Sequence, residues 1–266
     1  MRRIILTVLL MVVATPVTRA GCEENDTLLL RFDGGAGYGI FRDMGASPLT
    51  YKGLEIHPGI GVEWRQANWL LDGSLHLSGG AYGILFRLQS LRVFGGQVGA
   101  GVELLHKVYS RGGLTLWAGG GVNDLFDLRY NSALNNSSVG MSNWVRLDGS
   151  ARAEYTLGRW RFDASIGLDL LSLNMRPGFA YIDNYDHDIS NPVNDAGTHY
   201  SWYVTGAPGV STALGVRRLT KHGNEVGLSY AWHYITSRVS SDGLSAPHRF
   251  NQASHALMIH LLVPMK

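Results

Sequence analysis

The stretch from Leu54 to Tyr82 constrains the fold most, because apolar residues recur at every second position in two consecutive segments. The apolar positions are Leu54, Ile56, Pro58, Ile60, Val62 and Trp64 in the first segment, and Trp69, Leu71, Leu75 and Leu77 in the second. Residues 66–68 separate the two segments. A period of two residues is typical of a β-strand with two unlike faces. The stretch therefore predicts a β-hairpin.

The length of the two apolar runs and the position of two tryptophans indicate a membrane. Each run is about as long as a tilted strand that crosses a bilayer, roughly 9–11 residues. Trp64 and Trp69 flank the turn, and aromatic residues at the ends of such strands are typical of the bilayer interface. We therefore predict transmembrane strands with apolar side chains toward lipid and polar side chains toward an interior.

Residues 1–20 have the pattern of a secretory signal peptide. Two arginines precede an apolar run from Ile4 to Ala14, and Thr18 and Ala20 put small residues at the −3 and −1 positions of a cleavage site. The run is too short to span a bilayer as a helix. We expect export and cleavage after Ala20, which leaves residues 21–266 as a single domain.

A lipoprotein signal is the alternative, because Cys22 follows the expected cleavage site, although Arg19 stands where a lipobox usually has leucine. Cys22 is the single cysteine of the chain, so no internal disulfide can form.

Loss of Arg2, Arg3 and Arg19 with the signal reduces the 23 Lys and Arg residues to 20, against 21 Asp and Glu residues. This charge balance gives no indication of nucleic-acid binding.

The same alternation continues to the C-terminus and predicts an all-β fold, an antiparallel up-and-down transmembrane β-barrel of about ten strands. The predicted strands are approximately 27–41, 54–64, 69–82, 94–104, 114–122, 145–157, 160–170, 202–216, 226–234 and 257–263. The long connections are predicted at 42–50, 84–92, 125–142, 172–199 and 237–251, and the short ones include 107–113. Pro58 and Pro208 lie within two of these strands and predict local bulges. Because strand boundaries read from sequence are uncertain by a few residues, the prediction covers eight to twelve strands.

The charged residues fall almost entirely on the predicted inward face of these strands. A lipid-facing Arg or Lys near the bilayer midplane costs about 2–4 kcal/mol, which explains such a partition. The predicted lumen acids are Asp33, Glu55, Glu63, Asp72, Glu103, Asp148, Glu154, Asp163, Asp169 and Glu225. The predicted lumen bases are Arg31, Arg146, Arg152, Arg161 and Arg217, together with His57, His76, His233 and His260.

With its signal peptide, glycine-rich alternating strands and alternation of short and long connections, the chain resembles the outer-membrane β-barrel class of Gram-negative bacteria. The resemblance covers residues from about 27 to 266 and implies an outer-membrane location, insertion by the barrel assembly machinery and contact with outer-membrane lipid. It identifies no specific family. One departure is the C-terminus, Val263-Pro264-Met265-Lys266, where this class often ends in an aromatic residue that the assembly machinery recognises.

We expect a non-enzymatic barrel with no cofactor and no bound metal. One form is a bore plugged by ion pairs; another is a narrow path that favours cations because of its acid excess. A third is a scaffold whose loops bind a small solute or an extracellular ligand. The loop candidates are Tyr181, Asp183, Tyr185, Asp186 and Asp188, an acidic and aromatic cluster in the longest connection.

A barrel enzyme is the alternative. His76 and Ser78 lie two residues apart on one strand face, and such a pair resembles the sites of outer-membrane phospholipase A and lipid A deacylases, which hydrolyse acyl esters with a histidine base and a serine nucleophile. Those sites face lipid, whereas this pair faces the lumen. The acidic cluster of the longest connection also resembles the omptin proteases, which have ten strands, but no omptin motif matches residue by residue.

Overall fold

The computed structural model describes residues 26–43, 49–84, 91–132, 139–177, 200–205, 209–239 and 248–265, and within these ranges the chain is all-β. The strands are β1 (Thr27–Asp43), β2 (Thr50–Ile56), β3 (Gly59–Arg65), β4 (Trp69–Gly83), β5 (Leu91–Arg111), β6 (Leu114–Asn131), β7 (Val139–Leu157), β8 (Trp160–Pro177), β9 (Tyr200–Thr205), β10 (Val210–Leu219), β11 (Glu225–Val239) and β12 (His248–Pro264).

The strands form a closed antiparallel barrel with ten strand positions, as the sequence predicts. Consecutive strands pair around the ring, and β1 closes it against β12 from Leu29↔Pro264 to Asp43↔Phe250. β2 and β3 share one position between β1 and β4. β9 and β10 lie one after the other along β8, and β10 also pairs with β11.

The position that β2 and β3 share lies at the predicted interruption at Pro58. β2 ends at Ile56 and β3 begins at Gly59, so His57 and Pro58 form a break. Proline has no N–H to donate to the strand ladder, which explains the break at this point. The break is still tied to its neighbours, because His57 N donates to Gly35 O at 2.9 Å and Leu77 N donates to Pro58 O at 2.8 Å. Pro208 lies outside the described residues.

The strands extend further into the predicted connections than the sequence indicated. Residues 125–131 and 139–142 are strand, so most of the loop predicted at 125–142 is wrong. In the loops predicted at 172–199 and 237–251, residues 172–177, 237–239 and 248–251 are likewise strand. The turn predicted at 107–113 shrinks to residues 112–113. In β6 the period of two continues past residue 125, with Leu128 and Tyr130 exposed on the outer face. The predicted loop is too long because the Asn- and Ser-rich residues that follow Tyr130 were grouped with this strand end.

The outer surface is apolar and the interior is polar, the reverse of a water-soluble protein. Large exposed side chains on the outer face include Phe32, Ile60, Leu75, Val98, Val122, Ile166, Leu214, Leu228, Ile259 and Leu261. Buried charged side chains include Glu55, Glu63, Arg146, Glu154, Arg217 and Glu225. Asp124 is a charged residue that the alternation places on the outer face, so it is an exception to the predicted location of charged residues in the lumen.

Short turns join the strands at one end of the barrel, which we call the short-turn end. The hairpin between β5 and β6 turns at Gly112 and Gly113, with φ of 61° and 85°. Positive φ at both central residues suits a tight hairpin turn between twisted strands, and glycine adopts it without a Cβ penalty. The β7–β8 turn likewise has Gly158 at φ 61°.

The β5–β6 turn gives a matched pair of substitutions. A Cβ at Gly113 would lie 2.7 Å from Thr156 O, whereas a Cβ at Gly112 would meet nothing within 4 Å. We expect Gly112→Ala to lower the free energy of unfolding by about 1 kcal/mol, the cost of left-handed backbone, and Gly113→Ala by about 2–3 kcal/mol because of the added clash. Urea unfolding of the refolded barrel measures both. Equal losses would contradict the turn geometry.

Candidate functional site

The first candidate site is a group of buried ion pairs near the short-turn end, which we call the ionic layer: Glu63, Arg65, Arg152, Glu154 and Arg217. Each residue lies close to a short turn, in β3, β7 or β10. β3 and β7 are separated around the ring by β4, β5 and β6. Contacts between these two strands therefore cross the bore.

Two carboxylates hold three guanidinium groups together at the centre of the ionic layer. Glu63, whose side chain is 0% exposed, lies 2.6 Å from Arg65 Nε, 3.2 Å from Arg152 Nη2 and 3.7 Å from Arg217 Nη1. Glu154, on the other wall, accepts two parallel bonds from Arg65 at 2.8 and 2.9 Å. It also lies 3.1 Å from Arg152 Nε and 3.3 Å from Arg217 Nη2. Such bidentate, charge-assisted bonds are the strong ones.

Further pairs surround this centre. Arg31 donates to both Asp72 oxygens at 2.6 and 3.0 Å and lies 3.0 Å from Asp33. Asp33 is 2.7 Å from His260 Nδ1. On the side formed by β8, β10 and β11, Arg161 lies 2.9 Å from Glu225 and Arg217 lies 3.1 Å from Asp163, so Arg217 joins these pairs to the ionic layer.

Apolar side chains fill the rest of this cross-section. Leu70, Leu105 and Trp117 form a buried cluster in β4, β5 and β6, with both leucines 0% exposed. Trp117 Nε1 donates to Glu154 at 3.4 Å, which joins the cluster to the ionic layer. The bore is therefore filled by side chains at this end.

A second filled level lies near the opposite end of the strands, and we call it the aromatic layer: Phe41, Tyr51, Tyr82, Arg129 and Phe250. Phe41 stacks on Tyr51 at 5.2 Å between ring centroids and meets Tyr82 edge-on at 5.1 Å. The guanidinium carbon of Arg129 lies 4.1 Å from the Phe41 ring and 4.7 Å from the Phe250 ring. One cation thus lies between two aromatic rings from other strands.

Polar groups hold Arg129 in place. Its Nη2 donates to Asp127 at 3.0 Å and to Gln252 Oε1 at 2.8 Å. Gln97 bridges the same two partners, with Nε2 donating to Asp127 at 2.8 Å and to Gln252 at 2.9 Å. Because β5, β6 and β12 all contribute, this network also crosses the bore. Trp144 stacks on Phe250 at 5.3 Å and extends the layer.

Between the two layers many of the inward residues are small, which leaves room for a chamber. Inward positions in this zone include Gly37, Gly59, Ser74, Gly99, Gly101, Gly121, Gly167, Ser211, Ala213 and Ala231. His76 faces inward and is nevertheless exposed, so space surrounds it. A Cβ at Gly99 would overlap the His76 ring, and a Cβ at Gly37 would lie 2.9 Å from His57 Nε2. Gly99 therefore makes room for the His76 imidazole, whereas a Cβ at Gly37 would also overlap the backbone carbonyl oxygen of His255.

The chamber wall carries several of the predicted lumen residues. Arg146 contacts His233 Nε2 at 3.0 Å and Asp169 at 3.4 Å. Asp148 faces Asp169 across the β7–β8 ladder and accepts a hydrogen bond from Asn123. On the opposite wall, Glu55 lies 3.3 Å from His57 Nε2 and accepts hydrogen bonds from Tyr82 Oη at 2.7 Å and from Ser254.

The other predicted site residues are placed as follows. Ser78 Oγ donates to Gln97 Oε1 at 3.2 Å, and no hydrogen bond joins it to His76 in the part of the chain that the structure describes. Glu103 pairs with Asp72 in the β4–β5 ladder and has no ion pair among the described side chains. Tyr181, Asp183, Tyr185, Asp186 and Asp188 lie outside the described residues.

Two arginines of the lumen were absent from the sequence prediction. Arg65 is the last residue of β3, where a strand end and a turn residue look alike in sequence. Arg129 lies in β6 but fell within the loop predicted at 125–142. Alternation within longer strands would have found both, since Arg65 follows Glu63 and Arg129 follows Asp127 at a spacing of two.

The described ranges contain neither a metal-binding cluster nor a membrane-spanning helix. No group of three or more His, Cys, Asp or Glu residues there is arranged to hold a metal ion. No helix in those ranges is long and apolar enough to cross a membrane.

The fold is similar to solved outer-membrane β-barrels of Gram-negative bacteria. The outer-membrane protease OmpT from Escherichia coli matches at 5% identity over 93% of this chain and 100% of that chain, with a TM-score of 0.57. The translocator domain of the autotransporter NalP from Neisseria meningitidis matches at 10% identity over 97% of this chain and 95% of that chain, with a TM-score of 0.40. At these identities the OmpT likeness indicates a shared fold and nothing about activity. No known protein family matches the sequence, and no curated protein matches it.

The ionic layer predicts a large cost for removing its central carboxylate. We expect Glu63→Gln to lower the free energy of unfolding by about 3–5 kcal/mol, because three arginines lose part of their compensation where water cannot enter. The control is Asp26→Asn, which neutralises a carboxylate at the same end whose hydrogen bond to Gln66 is 3.2 Å long. We expect a change of about 0.5 kcal/mol or less there. Similar losses in both variants, measured by urea unfolding, would contradict the assignment.

Proposed function

We propose that this chain is an outer-membrane β-barrel with a bore closed at two levels, which acts as a scaffold for the long connections at one end. The observation that carries the proposal is the pair of filled cross-sections, with Glu63 at 0% and Phe250 at 1% exposure. An open pore needs a continuous water path, and buried side chains that meet across the bore in both layers argue against one. The closed bore favours the plugged barrel over the narrow cation path.

The location and partners follow from the same proposal. The apolar outer face requires lipid around it, and the fold is that of outer-membrane barrels. Residues 1–20 direct export, and the barrel assembly machinery inserts the mature chain. The connections centred on residues 44–48, 85–90, 133–138, 178–199 and 240–247 are then the outer surface, where Tyr181, Asp183, Tyr185, Asp186 and Asp188 are the candidates for contact with a ligand.

Conductance in a planar bilayer tests closure. We expect the mature wild-type chain to insert without a steady conductance. Arg65→Ala with Glu154→Ala keeps the net charge unchanged and removes side chains from the ionic layer. Asp127→Ala with Arg129→Ala does the same for the aromatic layer. Either change alone should leave the bore closed, whereas the combination should conduct. A steady, ion-selective current through the wild-type barrel would overturn the proposal.

A barrel protease is the second candidate, and the sequence of the longest connection favours it. Asp183, Asp186 and Asp188 lie within six residues of one another with His187 among them, so acid and base groups for water activation are available. If this candidate holds, Asp183→Asn with Asp186→Asn and Asp188→Asn should reduce cleavage of a quenched fluorogenic peptide library by at least about 100-fold. Lack of wild-type cleavage across the library would exclude it. The lipase form is less favoured because Ser78 faces the lumen.

A further inference from the structure

A groove of about 630 Å³ lies near the short-turn end, beside the β7–β8 and β10–β11 turns. We call it the basic groove. Its lining includes Arg159, Trp160, Arg218, Lys221, Val226, Leu228 and Ile259. None of the closure contacts described above passes through it, so it is a separate feature. Its interpretation as a ligand site rests on the proposed outer-membrane location.

The floor of the basic groove is apolar. Val226, Leu228 and Ile259 are exposed residues on neighbouring strands β11 and β12. They belong to the apolar belt, which implies contact with hydrocarbon in a bilayer. Trp160, exposed at the start of β8, marks the end of that belt, where tryptophan is typical of the interface. The groove therefore spans the boundary between hydrocarbon and headgroups.

The rim of the basic groove is cationic. Arg159, Arg218 and Lys221 are exposed, the lining includes no acidic residue, and none of the three has an ion pair among the described residues. Arg218 is held over the Trp160 ring, with 5.3 Å between its guanidinium carbon and the ring centroid. Three positive charges without a counter-charge among the described residues favour an anionic ligand.

The two turns that carry the rim are tied to each other. Leu219 N donates to Arg159 O at 2.8 Å, and Thr220 N donates to Asn224 O at 2.8 Å. The rim is thus organised before any ligand binds, which lowers the entropic cost of binding. Thr220 also lines the groove, and its Oγ1 has no partner among the described residues.

We propose that the basic groove binds the headgroup of an anionic phospholipid from the leaflet at the short-turn end. The phosphate lies among Arg159, Arg218 and Lys221, and an acyl chain lies along the apolar floor. Arginine forks match phosphate oxygens, and each basic side chain at an anionic membrane surface strengthens attraction several-fold. A soluble phosphate would leave the apolar floor uncovered, so a lipid is the occupant that fits both parts of the groove.

Lipid retention tests this site. The mature chain is refolded into nanodiscs of equal parts phosphatidylglycerol and phosphatidylcholine, extracted with mild detergent and examined by native mass spectrometry for bound lipid. We expect wild type to retain phosphatidylglycerol in preference to phosphatidylcholine. Arg159→Gln with Arg218→Gln should reduce that preference about tenfold. Lys107→Gln with Arg111→Gln removes two charges at the same end outside the groove and should keep it.

The outcomes separate the two proposals. Insertion of all variants with equal retention of the two lipids by wild type would overturn the lipid site and leave the barrel proposal standing. Loss of the preference in both double variants would also overturn it, because general charge would then explain binding. Failure of wild type to insert into any bilayer would overturn both proposals.

Discussion

The structure depends on the pairing of buried charges across the bore. A carboxylate as buried as Glu63 is stable only if cations surround it, because an unpaired buried ion costs several kcal/mol. Arg65 supplies that compensation from the same strand, and Arg152 and Arg217 supply it from two other strands. Since Arg65 also binds Glu154 on the far wall, the charges fix the separation of the two walls and fill the space between them.

The rest of the interior follows from this arrangement and from the ring of ten strands. A ring of this size leaves more room than the ionic layer alone can fill, and the sequence fills a second cross-section with aromatic rings around Arg129. Small inward residues between the layers leave a chamber with His57, His76 and His233. The two ends thus use different chemistry, ion pairs near the short turns and cation–π contacts near the long connections.

Much of this architecture is readable in the sequence, because a period of two fixes both the strands and their faces. Parity alone puts Asp72, Arg152 and Asp163 inside, and the structure places them there. Parity cannot say which charges meet, since a contact between Glu63 and Arg152 depends on closure and register of the whole ring. Arg129 was missed because the Asn- and Ser-rich segment after it extended the predicted loop back to residue 125, although Leu128 and Tyr130 continue the outward pattern. The acidic candidates at 183–188 lie outside the described residues, so their role rests on sequence alone.

Chemical access to the chamber tests the central claim of a bore closed at both levels. In a Cys22→Ser background, His76→Cys puts a thiol in the chamber and Arg111→Cys puts one at an exposed turn. A membrane-impermeant maleimide is applied to the refolded barrel in vesicles opened to give access to both ends. We predict rapid labelling at position 111 and labelling at position 76 slower by at least about 100-fold, because both layers exclude the reagent. Equal labelling rates at the two positions would contradict the account.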